Sequence, residues 1–368
     1  MRQFQKLITI ALIGILFSCT SVNEKSCILT GEVLDRENGN LFLYRPGSSQ
    51  YDKDTIPFND GKFEYHIKKQ SPEVFLLFFE EDENDDGDFT SVDFFFGEED
   101  VHIKLSMNDI KNPQIKGGQQ NATFINVMSN FRAIEDNLMR NYANLKTMSD
   151  SIKIEATKDS VAILTSKMED FIPNYIKQNK NLISAYFVWL MRSSMDKATL
   201  EEKIAPLTPL FPKSKYIKET TTYINGFGQN EIGQQFTDYE LTTINDNSTA
   251  LSSIVKDNEL THILFWSSRC SSTDGKLRAY KSIYNEYKSQ GYEIVAISDD
   301  CDKIRWKNAI KRNEADWTNL LDFDKEKGIS EFYHIGLSGD VLINKNGEII
   351  SRNFRTGQLK DILVENLK

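Results

Sequence analysis

Two sets of residues in this sequence have the types and spacing for chemistry: its cysteines and one acidic run. Cysteines stand at positions 19, 27, 270 and 301. A thiolate is the reactive form, and a neighbouring cation or a helix N-terminus favours it. Cys270 has Arg269 before it and a helical stripe after it, so both aids are at hand. The acidic run places oxygen-bearing side chains at Asp82, Asn84, Asp86, Asp88, Thr90 and Asp93, with Gly87 at the sixth of twelve positions. That is the spacing of a calcium loop: glycine allows the sharp turn, position seven offers a backbone carbonyl, and hard Ca²⁺ takes an all-oxygen shell. Its last ligand is Asp93, a shorter arm than the usual Glu, and its flanks read as strands. A solvated acidic hairpin tip that discourages edge pairing is the other reading. The four histidines form no Ser–His–acid or zinc spacing. His262 reads as a packed or edge residue of a strand, and His334 as a solvent-facing helix residue.

These side chains must be positioned by a chain of 368 residues with net charge −10, which has length for two or three domains. Nothing in it forms a Lys/Arg block, so a nucleic-acid backbone finds no clustered cations. Arg2 and Lys6 precede an apolar run over residues 7–17, too short to span a bilayer. Leu16-Phe17-Ser18-Cys19 follows it, the order of an export signal ending in a lipidated cysteine. Residues 1–18 are therefore expected to be a signal peptide and 19–27 a tether. Lipid on Cys19 would anchor the chain to a membrane of a Gram-negative envelope, facing the periplasm and most simply at the outer membrane. Cys27, Cys270 and Cys301 then remain, an odd number for an oxidising compartment.

Three segments follow. Residues 28–118 alternate in period two between turn signals such as Asp60-Gly61 and Gly117-Gly118, which predicts an antiparallel β-sandwich. Over 119–229 the period becomes helical, with Phe124, Val127, Phe131 and Leu138 on one face and further helices over 161–176, Leu182–Met191 and 200–207. Pro206, Pro209 and Pro212 mark a connection, and the segment reads as a helical spacer without chemistry. Residues 230–368 alternate strands and helices: Leu260–Trp266 and Tyr292–Ser298 are apolar strands, Leu277, Tyr280, Ile283 and Tyr284 a helical stripe, and Asn346-Gly347 the turn of a hairpin. A β-α-β-α-β-β-α order with a parallel pair and a terminal hairpin predicts a thioredoxin-like α/β arrangement. The fold class expected is thus multidomain α+β.

From Ile232 onward the sequence resembles the TlpA-like thiol-disulfide oxidoreductases. The residues that carry the resemblance are Ile232-Gly233-Gln234-Gln235-Phe236, Phe265-Trp266-Ser267-Ser268-Arg269-Cys270-Ser271-Ser272-Thr273, and Leu342-Ile343-Asn344-Lys345-Asn346-Gly347. Thr30-Gly31-Glu32-Val33, Asp54-Thr55-Ile56 and Asp60-Gly61-Lys62-Phe63 resemble the β-sandwich domain of unknown function that precedes such domains in envelope lipoproteins. The resemblance implies a Cys-x-x-Cys site of which Cys270 is the first member and Thr273 the second. A hydroxyl cannot resolve a mixed disulfide, so the site is degenerate. It also implies a cis-proline where Ser338 stands, and a buried acid where Leu264 stands. A cis bond before serine would cost about 2.5–4 kcal/mol, so a trans peptide is expected there.

Three readings of Cys270 remain open. Cys301 follows the neighbouring strand and could replace the missing thiol, since adjacent strands lie about 4.8 Å apart and loop movement can close the rest. Alternatively, Cys270 works as a lone thiol or peroxide-reactive residue, or it is inert in a domain used for binding. The function expected is an envelope lipoprotein in redox homeostasis acting through Cys270 and Cys301, meeting envelope proteins through the thioredoxin-like groove. The competing class is a non-catalytic binding or scaffold lipoprotein. No cofactor is required by either, and Ca²⁺ is the candidate ion.

Overall fold

The computed structural model describes residues 26–45, 53–80, 90–268, 273–335 and 338–367. Its N-terminal strands are β1 (Ser26–Val33), β2 (Gly39–Tyr44), β3 (Lys53–Phe58), β4 (Lys62–Lys68), β5 (Glu73–Phe79), β6 (Val92–Phe96), β7 (Val101–Leu105) and β8 (Gln114–Lys116). They pair into two sheets, ordered β4-β1-β7-β8 and β3-β2-β5-β6. Period-two alternation turns Leu29, Phe63 and Ile103 of the first sheet and Leu41, Phe75 and Phe94 of the second into one shared core. One pair departs from the antiparallel expectation: β1 and β7 run parallel, with Leu29 opposite Val101. Parallel neighbours need a long crossover, and the chain between β1 and β7 supplies it.

Alternation fails in β5, which is buried on both faces. The reason is the helical segment: α1 (Asn121–Leu145), α2 (Ser151–Gln178), α3 (Leu182–Met191), α4 (Lys197–Ile204) and α5 (Lys215–Gly226). Val74 and Phe95 leave the sandwich core and join Phe124, Tyr186 and Tyr216 from these helices. Phe95 N donates to Asn121 Oδ1 and Val74 N to the Tyr216 hydroxyl, each at 2.7 Å. The segment is therefore packed against the second sheet over an extended face, more than a spacer. Helix α5 was not expected, because its three consecutive threonines, Thr220 to Thr222, carry low helix propensity. Tertiary packing of Tyr216, Ile217, Thr220 and Ile224 outweighs that cost, and Ser214 Oγ caps it by accepting from Tyr216 N.

The C-terminal elements are β9 (Glu240–Thr243), β10 (Ser248–Ala250), α6 (Leu251–Asp257), β11 (Leu260–Trp266), α7 (Thr273–Tyr287), β12 (Tyr292–Ser298), α8 (Lys303–Arg312), β13 (Thr318–Leu321), α9 (Ile329–Phe332), β14 (Gly339–Asn344), β15 (Ile349–Arg352) and α10 (Thr356–Asn366). The sheet order is β10-β9-β13-β12-β11-β14-β15, parallel across β13-β12-β11 and antiparallel at β14. Every residue of β11 is buried. Its even positions Leu260, Leu264 and Trp266 face α7, α8 and α10, and Ile263 and Phe265 join the core under α6 and α9. Sequence patterning missed β13 and the β9–β10 hairpin, whose runs of three or four residues are too short to show a period. No helix among the described residues is long and apolar enough to cross a membrane.

Candidate functional site

Strands β11 and β12 are parallel, with Trp266 opposite Ser298, so both leave the sheet at the same edge. Ser267 and Ser268 follow one, and Asp299, Asp300 and Cys301 follow the other. Cys270 itself, with its flanking residues 269–272, lies outside the described residues; Thr273, which opens α7, comes next in the chain. The two loops are joined by Asp300, which is fully buried. Its carboxylate accepts from Ser267 Oγ at 3.1 Å, from Ser268 N at 3.1 Å and Ser268 Oγ at 2.8 Å, and from Ser298 Oγ at 2.5 Å. Four donors satisfy a charge that burial alone would make costly, and they fix the Cys301 loop against the chain that leads to Cys270. Cys301 is half-buried and directly precedes Asp302, whose carboxylate caps α8 by accepting from Ile304 N at 2.8 Å and Arg305 N at 3.0 Å. A thiolate at Cys301 would thus sit near the positive end of a helix dipole.

Beside this edge is a cavity of about 10 Å³, room for a single water, lined in part by Trp266, Ser298, Asp299, Asp322 and Ser330. Burial pushes the Asp322 carboxyl up, although Lys327 N and Ile329 N both donate to it, and the nearby charge of Asp299 adds to the rise. The edge therefore holds a carboxyl that protonates more readily than an ordinary aspartate.

A second polar cluster lies between α7 and the sheet. His262 is wholly buried on β11, with Nδ1 2.7 Å from the Tyr292 hydroxyl and Nε2 2.9 Å from Asp340 Oδ1. Tyr280 donates to the same oxygen at 2.9 Å, and Lys276 Nζ stands 3.0 Å from Asp340 Oδ2 and 3.4 Å from Ser338 Oγ. Burial holds the His262 pKa down against the pull of Asp340, so the imidazole is neutral and donates a hydrogen bond from Nε2–H to the Asp340 carboxylate. Burial also works to raise Asp340, but the hydrogen bond from His262 and the Lys276 ammonium win and keep it below the usual range. Leu264 is a buried leucine and its direct partner on β14 is Asp340, so the carboxylate on this face comes from the neighbouring strand. Sequence reasoning passed over Asp340. The available signal was a pair of polar residues, His262 and Asp340, inside two otherwise apolar strands, where each must find a partner.

A folded-state histidine pKa below its unfolded value of about 6.5 adds stability that is complete above that pH and is lost as the pH falls below it. His334 is shifted in the same direction, by burial. Urea unfolding at steps from pH 7.5 to about 5 should therefore show a falling unfolding free energy, with a shallower slope in His262→Gln. Equal slopes would mean that His262 does not carry this linkage.

His334 departs from the solvent-facing helix expected for it. It sits after α9 with a left-handed φ of 52°, stacks on Tyr223 at 3.9 Å, meets Phe227 at 4.5 Å and places Nε2 2.7 Å from the Tyr223 carbonyl. The aromatic pocket on α5 and just beyond it explains the difference. No cis peptide occurs among the described residues, and Gly336 and Leu337, which lead to Ser338, lie outside them.

Of the acidic run, residues 82–88 lie outside the described residues, as does Cys19. Asp93 lies in β6, accepts from Ser91 Oγ at 2.5 Å, and has its pKa raised by burial. Among the described residues no group of three or more metal-ligating side chains is gathered. Cys27 on β1 is buried in the sandwich core, and burial pushes its thiol pKa up.

The comparisons with known proteins agree with this architecture. Residues 27–124 match the family model of a domain of unknown function (DUF4369), and residues 232–352 match that of the AhpC/TSA family. The thiol-disulfide oxidoreductase ResA of Halalkalibacterium halodurans is 25% identical over 149 residues, which is 39% of this chain and 81% of the relative. The ResA of Bacillus thuringiensis is 26% identical over 138 residues, 38% of this chain and 78% of the relative. Among solved structures, the thioredoxin domain of a thiol-disulfide oxidoreductase from Bacteroides vulgatus is 22% identical with a TM-score of 0.35, covering 38% of this chain and 99% of that one. Residues 232–352 thus match the AhpC/TSA family in a thioredoxin-like fold, similar to thiol-disulfide oxidoreductases, behind an N-terminal region that matches the DUF4369 domain.

Proposed function

We propose that this protein is an envelope lipoprotein that performs thiol–disulfide exchange through Cys270 and Cys301. The observation that carries the reading is the Asp300 bridge, which ties the Cys301 loop to Ser267 and Ser268 at one edge of the sheet. In the first step the Cys270 thiolate attacks a substrate disulfide, forming a mixed disulfide and releasing one substrate thiolate. Cys301, as thiolate, then attacks the Cys270 sulfur, forming the Cys270–Cys301 disulfide and releasing the second substrate thiolate, and both released thiolates take protons from solvent. The substrate gains two electrons, the protein loses two, and a dithiol reductant restores it. Protein disulfides of the envelope are the substrate class, met through the groove beside Ser338. The order of positive start, apolar run and Ser18-Cys19 supports export and a lipid on Cys19, on the periplasmic side of the outer membrane.

The test is alkylation of the full chain, purified in detergent without reductant, followed by mass spectrometry of both cysteines across pH. A reversible Cys270–Cys301 disulfide is expected, with Cys270 reacting as a thiolate well below the ordinary value of about 8.5. Cys301→Ser should trap the mixed disulfide. If Cys270 stays reduced and titrates as an ordinary thiol, exchange is ruled out and a binding role takes its place. Cys19→Ala should release the protein from the membrane fraction; retention there would overturn the anchor.

A further inference from the structure

Helix α8 carries Lys303, Arg305, Lys307, Lys311 and Arg312, five cations in ten residues, and no carboxylate. The whole chain has 44 lysines and arginines against 54 acids, so this helix inverts the charge of its surroundings. Trp306, Ala309 and Ile310 turn into the core, which leaves the cations outside. Apolar and amide residues separate these cations in sequence, and only the helical period gathers them. Three of them have partners: Asp246, between β9 and β10, lies 3.0 Å from Lys303 Nζ and 2.9 Å from Lys307 Nζ, and Asp274 of α7 holds Arg312 at 3.0 Å. One carboxylate thus serves two lysines. Asp302, the cap, is engaged by the amides of Ile304 and Arg305. The side chains of Arg305 and Lys311 are exposed and form no ion pair among the described residues.

Ile304 stands among these cations, 74% exposed, with Asn308 and Lys311 following at the fourth and seventh positions on the same face. Lys303 Nζ lies 6.0 Å from the ring of Phe323, itself 42% exposed. The cations are strung along about 14 Å of helix, at about 1.5 Å per residue, and do not converge on one point. A single phosphate or carboxylate would meet one or two of them, whereas an extended acidic chain meets the row.

We propose that the outer face of α8 docks an acidic polypeptide segment with an apolar residue among its carboxylates, which seats on Ile304. Helix α8 starts two residues after Cys301, at the sheet edge where β11 and β12 end. The proposal deepens the exchange reading, and rests on it only in taking the segment as part of a disulfide-bearing substrate protein. An anionic lipid surface fits less well: a helix that lies in a membrane interface buries its apolar stripe there, and α8 has given that stripe to the core.

The experiment is fluorescence anisotropy of a labelled, cysteine-free, glutamate-rich peptide with one central leucine, titrated with the full-length protein in detergent. Binding should be saturable and weaken as salt rises. The double variant Arg305→Glu, Lys311→Glu should weaken it about 10-fold, and since neither side chain has an ion pair to lose the fold should be kept. Lys167→Glu with Lys180→Glu makes the same change in net charge on exposed residues of the helical segment and should leave binding unchanged. Ile304→Ser should weaken the leucine peptide about 3–10-fold and leave an all-glutamate peptide unaffected. No binding at low salt, or equal weakening by the two double variants, would overturn the proposal. So would displacement of the peptide by micelles doped with phosphatidylglycerol, which would assign the face to lipid. A dimer of the protein alone that Arg305→Glu, Lys311→Glu dissociates would give the face to a second copy and sink the proposal too. The peptide has no sulfur, so its binding stands whether or not Cys270 and Cys301 ever pair, and failure of the exchange reading shows separately in the alkylation experiment.

Discussion

Replacing Asp340 with alanine should lower the unfolding free energy by about 3–5 kcal/mol, since it leaves two buried donors without an acceptor at about 1–3 kcal/mol each. Three groups lose their acceptor together: His262 Nε2, the Tyr280 hydroxyl and the Lys276 ammonium. His262 is wholly buried and cannot turn to water, and Tyr280 is 1% exposed. Lys276 is better placed, with its side chain 22% exposed, and can swing outward. The loss should therefore come mainly from the two aromatic donors. Asp340→Asn separates the contributions, because an amide oxygen still accepts from His262 while the attraction for Lys276 disappears. It should cost less than the alanine variant, about 1.5–3 kcal/mol if the charge-assisted bonds are the main loss. Urea midpoints for both variants, with unchanged slopes, provide the check. Equal destabilisation by alanine and asparagine would place the whole effect on charge and contradict the hydrogen-bonding account.

The same cluster marks where reading the sequence stops. Strands β11 and β12 were legible to the residue, because both are mainly apolar runs bounded by turn signals. The hairpin β14–β15 was legible from its Asn346-Gly347 turn and the apolar residues on either side. Patterning could not show partnership across the sheet. Asp340 and His262 are 78 residues apart, and only the antiparallel register of β14 on β11 brings them together. Asp300 is a similar case. It sits in a run of three aspartates broken by Cys301, which on the page looks like a solvated loop, yet its side chain is the buried link between two loops. The helical segment was recognised as helical but taken as a spacer. What its sequence does not reveal is which apolar face meets which neighbour: Tyr216 reaches Val74 of the sandwich, and Arg192 reaches Glu331 near the sheet edge. Both contacts span more than a hundred residues, beyond anything a local period can encode.

That docking has a sharp test in Gly226, the last residue of α5. A Cβ at this position would overlap the backbone carbonyl oxygen of Phe332 and come within 2.9 Å of His334 Nε2. The carbonyl cannot retreat easily, since α9 is tied down through Glu331 and Phe332 O also accepts from Asn230 Nδ2. Gly226→Ala should thus force α5 away from the turn that carries His334, at a cost of about 3 kcal/mol, the upper range for overpacking. Gly275 in α7 is the internal contrast. Among the described residues nothing lies within 4 Å of its would-be Cβ, so Gly275→Ala should stabilise the fold by up to about 1 kcal/mol through helix propensity. Opposite signs from the same chemical change are the expected result in thermal and urea unfolding. The glycine variants also bear on cooperativity. If α5 couples the helical segment to the thioredoxin-like domain, Gly226→Ala should split or broaden the thermal transition, while Gly275→Ala only moves it. A single sharp transition at the wild-type temperature in Gly226→Ala would mean that the close contact between α5 and the His334 turn is not maintained in solution.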